Sequence, residues 1–196
     1  MARQCNFDKE EKLAAAMALF WRQGYANTSV ADLVAHLGIN RFSLYNTYGD
    51  KHNLYRQALA HYLERESLPP LAELERPDAG LAELEGFLRR FVAQQRRQPQ
   101  GCLVQNALLE HGRADADVAR CYEQLFARVE QAFRRVLEQA AAAGELAPGV
   151  DPGRLARFLL VQLQGIRVLG RAGLHPALAD ALAVLLHYLD GLRRAP

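Results

Sequence analysis

A chain of 196 residues is long enough to bury a substantial core in one large domain or two small ones. Half of it is apolar, yet no apolar run approaches the roughly eighteen residues a membrane span needs, and the start, Met1 to Lys12, lacks the apolar stretch of a signal peptide; a globular, cytoplasmic protein with no membrane partner is expected. The net charge of +2 does not by itself point to nucleic acid, and three cysteines (Cys5, Cys102, Cys121) with no CxxC pair argue against a disulfide framework and a structural zinc site, so reduced thiols, no metal and no cofactor are expected.

Helical periodicity runs through the whole sequence and no convincing strand interrupts it, so the fold class is all-α. The spacing predicts a first helix from Asp8, its N-cap, to Gly24, with Leu13, Met17, Phe20 and Trp21 on one stripe. A second starts at Thr28 as cap and buries Val30, Leu33, Val34 and Leu37 before Gly38 ends it. Asn40 caps a third, Arg41 to Tyr48, and Asp50 a fourth that reaches about Ser67. Pro69, Pro70 and Pro77 then break the pattern. Longer helices follow at about Ala79 to Gln98, Cys102 to His111, Asp115 to Ala143, Pro152 to Arg171 and Pro176 to Arg194. The expected organisation is therefore an N-terminal domain over 1–50, a connecting helix over 51–67 and a second helical domain over 78–196.

Two short helices joined by a glycine-containing turn can present the second to the major groove of DNA, provided its outer face suits base edges. At 100° per residue Leu44 and Tyr48 point inward, Arg41 and Tyr45 flank them, and Phe42, Ser43, Asn46 and Thr47 point outward. That outward set is small, polar or flat, and supplies hydroxyl and amide groups for bases. Lys51 falls in the first turn of the fourth helix, where the helix dipole disfavours a cation and a phosphate would compensate. Thr28 can donate to a second phosphate by the same logic.

The run GYANTSVADLVAHLGINRFSLYNTYGDKHNLYRQAL resembles the DNA-binding domain of the TetR/AcrR family of bacterial regulators over roughly Leu13 to Tyr62. The resemblance implies a homodimer whose third helices enter successive major grooves of a near-palindromic double-stranded operator. It places Thr28 and Lys51 on phosphates, Tyr45 on a phosphate or thymine methyl, and Arg41, Phe42, Ser43 and Asn46 near bases. Phe42 departs from the family, where a small residue is usual. It either stacks on a thymine methyl, pushes the helix outward, or covers the second helix.

In the second half only GCLVQNALLEHG is distinctive, and it looks like the sixth helix of one TetR subgroup with a Gly-Cys-Leu start. Cys102, Asn106 and Glu110 form a polar line at i, i+4 and i+8, which either ties helices together or faces a ligand. Cys102 is either an inert core thiol or a redox or electrophile sensor. With Phe91, Tyr122, Phe126 and Gln162, this line forms the candidate site for an unidentified small-molecule effector. The last two helices are apolar over more than half their circumference, which assigns Phe158, Val161, Ile166, Leu182, Leu185, Leu186 and Leu189 to a four-helix interface between two copies. No nucleophile-base-orienter set is present, so the expected function is a ligand-responsive regulator rather than an enzyme: a repressor, with an activator or a Cys102 thiol sensor of the same fold as alternatives.

Overall fold

The computed structural model describes residues 7–112 and 114–194, so Cys5 lies outside the described residues. Nine α-helices are found among them: α1 Lys9–Gln23, α2 Val30–Leu37, α3 Arg41–Tyr48, α4 Lys51–Tyr62, α5 Leu81–Arg97, α6 Leu103–His111, α7 Ala116–Ala142, α8 Pro152–Arg171 and α9 His175–Gly191. A π-helical turn, Leu63–Ser67, extends α4, and a 3₁₀ turn follows at Pro69–Leu71, where prolines remove the amides an α-helix would need. No helix is long and apolar enough to cross a membrane among the described residues.

The chain forms two compact units. The first holds α1 to α4 together with α6 and the start of α7, up to Glu123. The second holds the segment from Leu68 to Gly101 and everything from Gln124 onward. This grouping differs from the expected division at residue 78: α6 and the first turns of α7 pack with the N-terminal helices, because they carry polar groups that bond to them, as described below.

In the first unit, α1 packs on α2 and α4 over Ala16, Met17, Leu19 and Phe20, with Leu33, Leu37, Leu44, Leu54, Ala58 and Leu59 filling the centre. Each fully buried side chain of this kind contributes about 1.5–3 kcal/mol relative to exposure. Short helices at this density depend on their caps. Asp8 accepts from the amides of Glu10 and Glu11, Asn40 from Ser43, and Asp50 from Asn53. The cap of α2 is Ser29, not the expected Thr28: Ser29 and Asp32 form a reciprocal capping box with bonds of 2.8 and 3.1 Å.

In the second unit, α5, α8 and α9 pack on one another, and Leu84, Phe87 and Leu88 of α5 join Leu159, Leu163 and Ile166 of α8 and Leu185 and Leu189 of α9 in the core. The rear of α7 adds Val129, Phe133, Val136 and Leu137. Gly80 has no side chain to cap α5, so Glu145 does so from the far side of the sequence, its Oε2 accepting from the Leu81 amide at 3.1 Å. A Cβ at Gly80 would lie 2.6 Å from Glu145 Oε1, so a larger residue there would have to displace the capping carboxylate. The same Glu145 region pairs with the chain's end through an isolated β-bridge, Leu146 to Arg193. Nothing in the helical periodicity announces that bridge.

Candidate nucleic-acid interface

The α2–α3 turn is set by Gly38, whose φ of 63° and ψ of 29° lie in the left-handed region. Ile39 then anchors the turn in the core, and Asn40 starts α3. Leu44 and Tyr48 are fully buried, as their spacing predicts, and the Tyr48 hydroxyl donates to the Lys9 carbonyl at 2.9 Å, fixing α3 to α1. Asn53 Nδ2 donates to the Tyr48 carbonyl at 2.8 Å and so locks the end of α3 to the start of α4. The rotation of α3 about its own axis is thereby determined.

That rotation exposes Phe42 to 75%, an extreme value for a phenylalanine, and removes the possibility that it covers α2. Arg41 and Asn46 are exposed as well. Tyr45, expected at the flank, is 39% exposed and stands with the outward set, whereas Ser43 and Thr47 are half-buried. The Arg41 guanidinium lies 5.8 Å from the Tyr45 ring centroid, which holds both side chains along one edge of the helix.

Lys51 is half-buried, with its ammonium 4.0 Å from the centroid of Tyr25. Burial lowers the pKa of Lys51, an effect partly opposed by Glu110. The offset for a cation at a helix N-terminus is thus already present in the protein, in the face of an aromatic ring. Thr28 corrects the expectation more sharply. Its side chain is fully buried and its hydroxyl donates to the Gly24 carbonyl at 2.6 Å, so the single proton it could offer a phosphate is committed within the turn.

Sequence reasoning missed the polar contacts that secure the interface from behind. Glu110 of α6 accepts from the amides of Tyr25 at 3.0 Å and Ala26 at 2.6 Å, both in the α1–α2 turn. Gly24 makes room for it: its φ is 81°, and a Cβ there would lie 3.2 Å from Glu110 Oε2. Asp115 meets His52 Nε2 at 2.6 Å, and Asp117 meets Arg56 Nε at 2.6 Å, both on α4. Between these contacts Tyr25, Tyr55 and His111 pack ring on ring, with centroids 4.8 to 5.6 Å apart. Burial, then Asp50, Asp115 and Glu110, raise the Tyr25 pKa, so its hydroxyl stays protonated. The one signal in the sequence was Glu110 itself, on the polar line of α6. Its partner is backbone amide, and it is therefore a tie rather than the pocket wall on which it was placed.

The other expected effector residues divide between the two units. Cys102 is the N-cap residue of α6 and buried to 2% exposure, Tyr122 is buried and Asn106 half-buried in the first unit. In the second unit Phe91 is buried against Phe87, their rings 6.0 Å apart, and Phe126 and Gln162 are half-buried. Burial pushes the other described thiol, Cys121, above its ordinary pKa, away from the thiolate form.

The expected interface residues on α8 and α9 also divide. Phe158 and Val161 are exposed, to 41% and 64%, while Leu182 and Leu186 are half-buried. Ile166, Leu185 and Leu189 instead belong to the unit's own core, at 3%, 4% and 1% exposure. Apolar residues on both faces of a helix do not reveal which face is internal. Val168, Val184 and Tyr188, not singled out in the sequence, complete the exposed apolar set, and Tyr188 packs on Phe158 with centroids 5.6 Å apart.

Two family models match the chain: "Bacterial regulatory proteins, tetR family" over residues 13–58, and "Tetracyclin repressor-like, C-terminal domain" over residues 80–184. The chain is 34% identical to the HTH-type transcriptional regulator YezE of Bacillus subtilis, over 81% of its own length and 84% of that protein's. It is 30% identical to the HTH-type transcriptional repressor ComR of Escherichia coli, over 85% of its length and 81% of that protein's. A solved structure of the TetR family transcriptional regulator CifR, a cysteine mutant complexed with 26-bp double-strand operator DNA, superposes with a TM-score of 0.77 at 30% identity, covering 92% of this chain and 98% of that one.

Proposed function

Because the chain belongs to the TetR family of bacterial regulatory proteins, a family of transcriptional regulators and not enzymes, we propose that it is a cytoplasmic, homodimeric repressor that a small-molecule effector releases from a palindromic operator. The observation that carries this reading is the outer face of α3. Phe42, Tyr45, Asn46 and Arg41 stand exposed on a helix whose inner face is locked by Leu44 and Tyr48. A rigid helix with solvent-facing polar and aromatic groups is what reading a major groove requires. Arg41, Phe42, Ser43, Asn46 and Thr47 take the base edges, and Tyr45 and Lys51 the backbone. The operator complex of CifR supports the same use of this fold.

Gly101-Cys102-Leu103 at the start of α6 supports placement in the TetR subgroup with that signature. Release follows from a population shift: an effector that binds better when the two reading helices are wrongly spaced weakens operator binding by its differential affinity. The thiol alternative fares worse, since Cys102 is buried to 2% exposure. Selection of bound duplexes from random DNA, followed by titration of the enriched sequence, tests the proposal. A palindromic consensus bound about a thousandfold or more tighter than scrambled duplex is expected. Failure to enrich any sequence would remove the regulator reading.

A further inference from the structure

Arg167 of α8 is the one buried cation of the second unit among the described residues, at 8% exposure. Arginines are almost never buried unless paired with an anion, because desolvating the guanidinium costs more than neutral contacts return. No carboxylate lies within ion-pair distance of Arg167 among the described residues; Glu85 and Glu130 of this unit pair instead with Arg193 and Arg157. Its contacts are neutral. The guanidinium carbon sits 5.2 Å from the Phe91 ring centroid, and Nη1 donates to Gln164 Oε1 at 3.4 Å, a long bond.

These neutral groups hold the guanidinium in place and offset its charge only in part, with no counter-anion beside it. Gln164 is itself fixed, its Nε2 donating to the Leu160 carbonyl at 3.3 Å. The register of α5 against α8 is fixed one turn away, where a Cβ at Gly170 would lie 2.8 Å from that of Gln95. Phe91 in turn stacks on Phe87, which packs edge-on against Phe133 at 5.6 Å. The result is a preset planar cation without a counter-anion, beside an aromatic cluster.

We propose that the effector is a small organic carboxylate, whose carboxylate pairs with the fork of Arg167 and whose apolar body lies against Phe91 and Phe87. The proposal rests on the effector-release reading above and names the chemical class of the effector. Arginine suits this role because its parallel N–H groups match a carboxylate in shape and charge. Gln164 is a positioning residue that sets the guanidinium plane.

Thermal unfolding of the full-length protein at matched ionic strength tests this, with benzoate, phenylacetate and octanoate compared against benzamide, phenylacetamide and octanamide. At least one acid raises the wild-type melting temperature by about 2 °C or more while its amide does not. Arg167→Met abolishes that shift and melts no lower than wild type without ligand, since it removes a buried charge without a counter-anion. Arg167→Lys, which keeps the charge but not the fork, retains part of it. No shift in wild type with any acid, an equal shift with sodium chloride alone, a shift that persists in Arg167→Met, or a ligand-free Arg167→Met that melts well below wild type would each overturn the assignment. Operator titration of the ligand-free wild type separates the two readings, because it succeeds or fails independently of every one of these outcomes.

Discussion

Lys51 and Phe42 sit a few residues apart and answer to different physics. The Lys51 ammonium is held over Tyr25 at 4.0 Å, so it is preset rather than sweeping through solvent, and the proposed phosphate contact would cost it little further conformational entropy. Phosphate contacts are blind to sequence, and each one adds to the salt dependence of binding. Lys51→Ala is therefore expected to weaken operator and scrambled duplex alike and to reduce the slope of log affinity against log salt by about one. Phe42, 75% exposed, has no structural duty to lose. Phe42→Ala is expected to leave the melting temperature unchanged and to flatten the preference at one base pair, where a mismatch typically costs about 1–3 kcal/mol. Anisotropy titrations on both duplexes across a salt series check both substitutions, and equal losses on both duplexes for Phe42→Ala would remove its reading role.

At the scale of elements, α6 and the start of α7 grip the reading head from behind. Glu110 holds the α1–α2 turn, while Asp115 and Asp117 hold α4. Glu110→Gln puts an amide donor where a carboxylate oxygen accepted, and is expected to cost about 1–2 kcal/mol in denaturant unfolding. Asp115 has its own pH signature. Partial burial pushes its carboxyl upward, but the His52 hydrogen bond, the Val118 amide and the nearby His52 and His111 charges outweigh that and hold its pKa below the ordinary carboxylate value. A depressed folded-state pKa means that its contribution is complete above the unfolded value near 4 and is lost as pH falls through the lower, folded one. In Asp115→Asn that portion of the acid-side loss of stability is expected to disappear, as measured by melting temperature between pH 3 and 6. Much of this level was legible beforehand. Caps such as Asp8, Asn40 and Asp50, and stops such as Gly24 and Gly38, fix helix boundaries locally, and α3 and α8 fall where their sequence places them. What was not legible depends on partners far apart in sequence. Thr28 and Ser29 are both good caps by composition, and only the Gly24 carbonyl decides between them. Glu110 shows itself as a polar residue on α6 but not that its partners lie 84 and 85 positions earlier.

For the molecule as a whole, the exposed apolar set on α8 and α9 is the feature of the second unit's surface that asks for a partner. Scattered exposed apolar residues need no explanation, but Phe158, Val161 and Val168 recur at helical spacing, and Val184 and Tyr188 do the same on the adjacent helix. A second copy offers the same surface in return, which makes a closed two-fold pairing the natural way to cover it. In the proposed dimer, operator binding depends on the pairing, because two reading helices held about 34 Å apart would engage successive major grooves as one ligand. Linking two sites in this way raises affinity by about 10² to 10⁴ over a single half-site. Val161 is 64% exposed on one chain, so a charge there leaves the isolated fold intact while becoming a buried, unpaired carboxylate in a dimer. Val161→Glu is thus expected to sediment as a monomer at micromolar concentration, with secondary structure by circular dichroism unchanged, and to lose operator affinity by about that bivalent factor. A Val161→Glu protein that still sediments as a dimer and binds the full operator like wild type would show that this face is not the one that pairs.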